Sequence, residues 1–300
     1  MEQDVDIIGI GGAGGLLASS LIEGSLPPRI ISRGAALRRL REVGLTILMD
    51  EKPTIHTPVQ CTALDDARHF APLVLLTTKS YDIPALIEEI SSRVEHDTLL
   101  ISVQNGFAAY DAISQAFGPE RSAMGVLYVG ARIVSPAVID IKSGIAQLFL
   151  PASHHAKLMP LVDALEHGGM EAALVDDIER RMWMKQIFLV PFAIINAQTR
   201  QPIGKVREDL QARQRWGKIA SEIAAIATAC GIVMPEDPAA ASLAVADRFD
   251  PQADSSFARD VWANRPHEAD ALFTPLLKRA KEHDVPCPLL QEAFAYYAKH

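Results

Sequence analysis

Short, mostly apolar runs, separated by segments whose apolar positions recur at a period near 3.6, fill the first half of the chain. Val5–Ile10, Arg29–Ser32, Leu73–Thr78 and Thr98–Val103 are the runs, and they predict strands. Ala13–Glu23, Ala35–Val43 (ended by Gly44) and Ile83–Val94 have helical spacing, and Leu45–Met49 reads as extended. Alternation of strand and helix is the signature of βαβ units and a mostly parallel sheet. Ala123–Val134 and Val138–Leu150 are expected to close the sheet, the second as a hairpin turning at Ser143-Gly144.

After about Val175 long Ala/Ile/Leu patterns at the helical period take over. Helices are predicted over Ile178–Gln198, Val206–Cys230, Ser255–Trp262, Pro266–Glu282 and Pro288–Lys299, with Pro202-Ile203-Gly204, Pro235–Pro238 and Asp284–Pro286 as separators. The change falls near Gly168–Asp177, so the expected domains are 1–170 and 171–300. The fold class is α/β, a parallel-sheet domain followed by an all-helical C-terminal domain. A cleft between them is the default place for a substrate.

A length of 300 residues, at roughly 150 per domain, agrees with two domains. A formal net charge of −8 argues against general affinity for nucleic acid or an anionic membrane. Cys61, Cys230 and Cys287 lie far apart with no metal-ligand spacing, which leaves no disulfide scaffold or metal site and fits a reducing, cytoplasmic compartment. The acidic start Met1-Glu2-Gln3-Asp4 and the brief apolar run after it make neither a signal peptide nor a membrane span.

Gly9-Ile10-Gly11-Gly12-Ala13-Gly14 follows the first strand and opens a helix. In such a loop the first Gly permits the tight turn, Gly11 lets the main chain approach a pyrophosphate, and Gly14 allows close helix–strand packing. Ser32-Arg33 ends the second strand where an acid would accept the ribose hydroxyls of NAD(H). A guanidinium and a hydroxyl there suit a 2′-phosphate and hence NADP(H), although an arginine on a solvated helix face has the same appearance. Thr77-Thr78-Lys79 and Gln104-Asn105-Gly106 lie at the carboxyl ends of strands, where open α/β sheets bind ligands; a solvated lysine and a simple turn are the plain alternatives.

In the helical half, Lys185, Leu189, Ala193 and Asn196 share one face of an apolar helix. A lysine so placed either snorkels or does chemistry. Ser255-Ser256 and Glu268 open helices, where an N-cap and a carboxylate on the helix dipole are ordinary.

Taken in order, the glycine loop, Ser32-Arg33-Gly34, Thr78-Lys79, Gln104-Asn105-Gly106, Trp183-Met184-Lys185 and the Ser256/Glu268 pair resemble the ketopantoate reductase (2-dehydropantoate 2-reductase) family. The resemblance implies a Rossmann domain, an all-helical second domain, and NADPH-dependent reduction of a 2-keto acid in pantothenate biosynthesis. It implies Lys185 as proton donor, Glu268 as the glutamate holding substrate and lysine, Ser256 and Asn105 as substrate contacts, and Lys79 and Arg33 near the cofactor phosphates. Gly9, Gly11, Gly12, Ala13, Gly14, Ser32 and Asn105 complete the expected cofactor site. The family pattern carries asparagines where this chain has Leu189 and Ala193, and a small polar residue and glycine where it has Phe273-Thr274. Asn196 then offers a substitute amide, and the substrate is expected to be a more apolar 2-keto acid than ketopantoate. Two further readings are an NADPH-binding sensor without turnover and a dehydrogenase working oxidatively on a hydroxy or amino acid. Tyr296-Tyr297 could supply an isologous homodimer contact.

Overall fold

The computed structural model describes residues 4–49, 52–141 and 146–298. The chain divides into two compact units, Met1–Asn105 with Ala109–Ile178, and Gly106–Ala108 with Glu179–His300.

The first unit contains β1 (Val5–Ile8), α1 (Gly12–Glu23), β2 (Arg29–Ile31), α2 (Gly34–Glu42), β3 (Leu45–Met49), β4 (Lys52–His56), β5 (Cys61–Thr62), β6 (Leu73–Leu76), α3 (Ile83–Ile90) and β7 (Leu99–Ser102). It continues with α4 (Ala108–Phe117), β8 (Ser122–Met124), β9 (Val126–Tyr128), β10 (Ala131–Ser135), β11 (Val138–Ile141), β12 (Gln147–Pro151), α5 (His155–His167) and β13 (Glu171–Val175). Six strands form a parallel sheet in the order β5-β2-β1-β6-β7-β8. Val5, Ile7, Leu73, Leu75, Leu99 and Ile101 pack into one apolar cluster, while Ile8, Val74, Leu76 and Leu100 pack into another. Burial on both faces explains why these runs are mostly apolar. Two smaller sheets, β10-β11-β3-β4 and β13-β12-β9, complete the unit. The direction of strand progression in the main sheet reverses between β1 and β6, which opens a crevice at their carboxyl ends.

The second unit is helical: α6 (Ile178–Thr199), α7 (Ile203–Glu208), α8 (Leu210–Ala229), α9 (Pro238–Ala246), α10 (Ser256–Trp262), α11 (Ala269–Glu282) and α12 (Pro288–Tyr297). Helix α6 is buried on nearly every side from Met182 to Ala197, as the central helix of a bundle must be. Phe188 and Phe192 of α6 meet Trp216 of α8 and Phe249 in one aromatic cluster. The Glu222 carboxylate of α8 accepts from the Leu289 and Leu290 amides at 3.0 Å each, so an internal acid caps the amino end of α12.

Several sequence expectations change. Ala123–Val134 is three strands, interrupted at Gly125, whose amide donates to the Ser102 carbonyl. Val138–Ile141 and Gln147–Pro151 lie in different sheets rather than forming one hairpin; Val138–Ile141 instead pairs antiparallel with β10 and parallel with β3. The expected turn at Ser143-Gly144 and the last residue of the predicted helix, Lys299, lie outside the described residues. Val206–Cys230 is two helices, because Asp209 turns extended and its carboxylate caps α8 at the Gln211 and Ala212 amides. Pro238, read as a separator, starts α9 at its first turn, with Asp237 as N-cap. Tyr297 is not a surface group: its ring is buried, its hydroxyl donates to the Ile194 carbonyl, and burial raises its pKa, whereas Tyr296 is exposed.

Candidate active site

The first unit gathers its candidate groups at the carboxyl edge of the parallel sheet. Gly9 leaves β1 at φ +102°, and a side chain there would press on the main chain of Thr77-Thr78 after β6. A Cβ at Gly14 would overlap the Gly9 carbonyl and the Thr77 hydroxyl, which itself donates to the Ile8 and Gly9 carbonyls at 3.0 and 2.7 Å. Gly11 differs, since a Cβ there meets nothing within 4 Å. Packing explains Gly9 and Gly14, while Gly11 borders open space at the N-cap of α1. The first turn of α1, which includes Gly12 and Ala13, contains no acid, so its main-chain donors present an unopposed positive end.

Arg33 follows β2 as N-cap of α2, nearly fully exposed at 87%, with its guanidinium 3.3 Å from the Asp82 carboxylate. Ser32 is half-buried, its amide bonded to the Thr62 carbonyl. Half-buried Lys79 follows β6, and half-buried Asn105 follows β7. The Gln104 side-chain amide donates to the Thr78 carbonyl at 3.2 Å and ties those two segments together. The Thr78 hydroxyl and the Gln104 carbonyl oxygen are buried with no hydrogen-bond partner among the described residues. The sequence placed both in candidate ligand-binding stretches without giving either a role of its own; such orphaned groups beside a glycine loop are what a polar ligand satisfies. Open space at Gly11, acid-free helical donors and these two atoms together fit a dinucleotide.

The second unit holds the other candidates. Lys185 stands on α6 with only 8% of its surface exposed, although an ammonium ordinarily stays in water. Burial pulls its pKa down from 10.5 to about 8, opposed by the charge of Glu268. Glu268, half-buried, precedes α11 at the N-cap position but makes no side-chain cap bond there. Ser255, not Ser256, is the N-cap of α10: its hydroxyl accepts from the Ala258 amide at 3.0 Å, and Ser256 is exposed. The site face of α6 thus carries a cation of lowered basicity with a carboxylate close enough to stabilise its charge.

Asn196 requires a correction. It is fully buried, and its amide donates to the Gln201 carbonyl at 2.7 Å and to the Asp254 carboxylate at 3.0 Å. Its oxygen accepts from the Ser255 amide and hydroxyl at 2.8 and 3.1 Å. Two donors and two acceptor positions are all that a carboxamide has, so none is left for a substrate. Helical spacing placed Asn196 on the Lys185 face, but the loop before α10 claims it. Its role is to fasten the end of α6 to the cap of α10.

The first unit thus offers main-chain donors beside an open glycine loop, and the second a buried lysine opposed by a carboxylate. The family models described as "Ketopantoate reductase PanE/ApbA" and its C-terminal counterpart match residues 5–153 and 177–298. The chain therefore belongs to the ketopantoate reductase family. A 2-dehydropantoate 2-reductase of Pyrobaculum aerophilum is 26% identical over 292 residues, covering 96% of this chain and 94% of that protein. Among solved structures, the 2-dehydropantoate 2-reductase of Geobacter metallireducens GS-15 superposes with a TM-score of 0.90 at 20% identity, covering 97% of this chain and 98% of that one. A D-mandelate dehydrogenase solved with NADH and anilino(oxo)acetate superposes at 0.88 with 19% identity, covering 97% and 96%. Among the described residues no helix is long and apolar enough to cross a membrane, and no group of His, Cys, Asp and Glu could hold a metal ion.

Proposed function

We propose that the chain reduces a small 2-keto acid to the 2-hydroxy acid with NADPH, and that its substrate carries an apolar substituent rather than the hydroxylated chain of ketopantoate. The observation that carries this reading is Lys185, an ammonium buried in an apolar helix bundle with Glu268 as its opposing charge. Reduced nicotinamide, when bound, supplies the hydride to the ketone carbon. Lys185 Nζ donates a proton to the oxygen as it becomes an alkoxide, and its charge stabilises that oxygen beforehand. A pKa near 8 suits an acid that must release its proton near neutrality far better than an ordinary lysine does. Glu268 holds the ammonium protonated, and Ser256 and Asn105 supply polar contacts to the substrate.

The apolar preference rests on the same face of α6. Leu189 and Ala193 bring no amide, Ala193 is fully buried, and Asn196 is saturated by the protein itself. A substrate hydroxyl placed along that face would lose its water and gain nothing. The end of β2 carries Arg33 and no acidic residue, which supports NADPH, and the Arg33 guanidinium lies 3.3 Å from the Asp82 carboxylate.

Oxidation of NADPH by ketopantoate and by a panel of branched and aromatic 2-keto acids tests the proposal. The apolar acids are expected to turn over faster than ketopantoate, and Lys185→Ala to slow the best of them roughly 10²- to 10⁴-fold. Equal turnover in the variant removes Lys185 from its role. Tight NADPH binding with no turnover on any 2-keto acid would make the chain a sensor.

A further inference from the structure

Helix α6 contains a proline, Pro191, in its buried interior. Having no amide hydrogen, it cannot bond the Ile187 carbonyl one turn back, and its ring crowds that oxygen away from the helix axis. An unsatisfied carbonyl two residues beyond Lys185, in the centre of the bundle, would be costly. The Ser242 hydroxyl on α9 donates to the Ile187 carbonyl at 2.6 Å, and the Trp216 indole on α8 donates to that hydroxyl at 2.7 Å. Ser242 and Trp216 are each 1% exposed, so water cannot replace either bond. The chain from indole to hydroxyl to carbonyl is complete, with each donor used once.

Position gives the chain its importance. On the amino side of the break α6 carries Lys185; on the carboxyl side Asn196 fastens it to the Ser255 cap, and thereby to the start of α10 where Ser256 lies. The joint at Ile187 and Pro191 therefore sets the Lys185 half of α6 against the half anchored to Ser256. We propose that Ser242, held by Trp216, is a positioning residue that acts through the Ile187 carbonyl to set the Lys185 ammonium in register with Ser256 and Glu268. The inference rests on Lys185 being the proton donor.

The test is a set of variants assayed with NADPH and the best 2-keto acid. Ser242→Ala leaves the Ile187 carbonyl and the Trp216 indole without partners, and kcat is expected to fall roughly tenfold to a hundredfold with KM for NADPH unchanged. Pro191→Ala restores a main-chain donor to Ile187, so Ser242→Ala in that background should cost no more than about twofold in kcat relative to Pro191→Ala alone. Should Ser242→Ala fail to fold, Trp216→Phe keeps the Ser242 bond but loses its support, and a smaller fall in kcat at unchanged KM is expected. A folded Ser242→Ala with native kcat and only a lower Tm overturns the proposal, as does a Pro191→Ala background that gives no rescue, or native kcat in Trp216→Phe. Lys185→Ala run alongside separates the two failures. If that variant is as active as the native enzyme, the proton-donor reading falls; if it is inactive while the Ser242 variant is unaffected, only the positioning role does.

Discussion

The two units carry candidate groups made of opposite materials. The first offers main chain: the loop of residues 9–14, the donors of α1 and the carboxyl ends of parallel strands require few particular side chains. The second uses side chains held deep in a helical bundle, where Lys185 is desolvated and Asn196 is consumed by neighbouring structure. A main-chain cradle adds little to the cost of folding beyond its glycines, whereas a buried cation opposes folding for as long as it stays charged. Binding and chemistry should therefore respond differently to mutation and to pH.

The largest effect expected to sharpen that contrast is on stability. With Lys185 lowered from 10.5 to about 8, the unfolded chain holds more protons than the native one between those values, so native stability rises with pH across that window. Below about pH 8 the whole cost of burying the charge is present. Lys185→Met should then stabilise the fold by about 3 kcal/mol near neutrality, and the gain in Tm over the native chain should shrink as pH approaches 10.5. A Tm difference that does not vary with pH would show that the ammonium carries no such cost. Activity should show the same group from the other side, with kcat for keto-acid reduction falling as pH rises through about 8 while NADPH affinity holds.

Next in size, Asn196→Ala leaves the Ser255 amide and hydroxyl short of an acceptor and should cost about 2 kcal/mol in a denaturant titration, with KM for the 2-keto acid unchanged. A raised KM with unchanged stability would return Asn196 to the substrate. Smallest is Arg33→Ala at the exposed end of β2, expected to weaken NADPH about tenfold, or 1.4 kcal/mol, while leaving NADH unchanged. Equal losses for both cofactors would remove Arg33 from the 2′-phosphate.

The same contrast governs what could be read from the chain beforehand. Gly9, Gly11 and Gly14 announce themselves, because glycine spacing after an apolar run reports directly on backbone geometry, and the central parallel strands announce themselves by runs rich in Val, Ile and Leu. Asn196 misleads, because helical periodicity gives the face on which a residue lies but not which distant loop reaches it first. Ser242 was invisible for a related reason: its helix begins with Pro238, which read as a break, and its partner is a carbonyl, which leaves no mark in sequence. The available clue was Pro191 inside an apolar helix, since a missing amide there demands a donor from elsewhere. Asp209 and Gly125 divide elements through local bonds, too short in range for a hydrophobic pattern to register.

The carboxylate of Glu222 reaching across to the first turn of α12 makes the final helix a keystone rather than an appendage. Deleting the segment from Pro288 onward would strand that acid and uncover the flank of α6 that Tyr297 seals. An exchange of α12 for another helix would therefore have to restore both contacts.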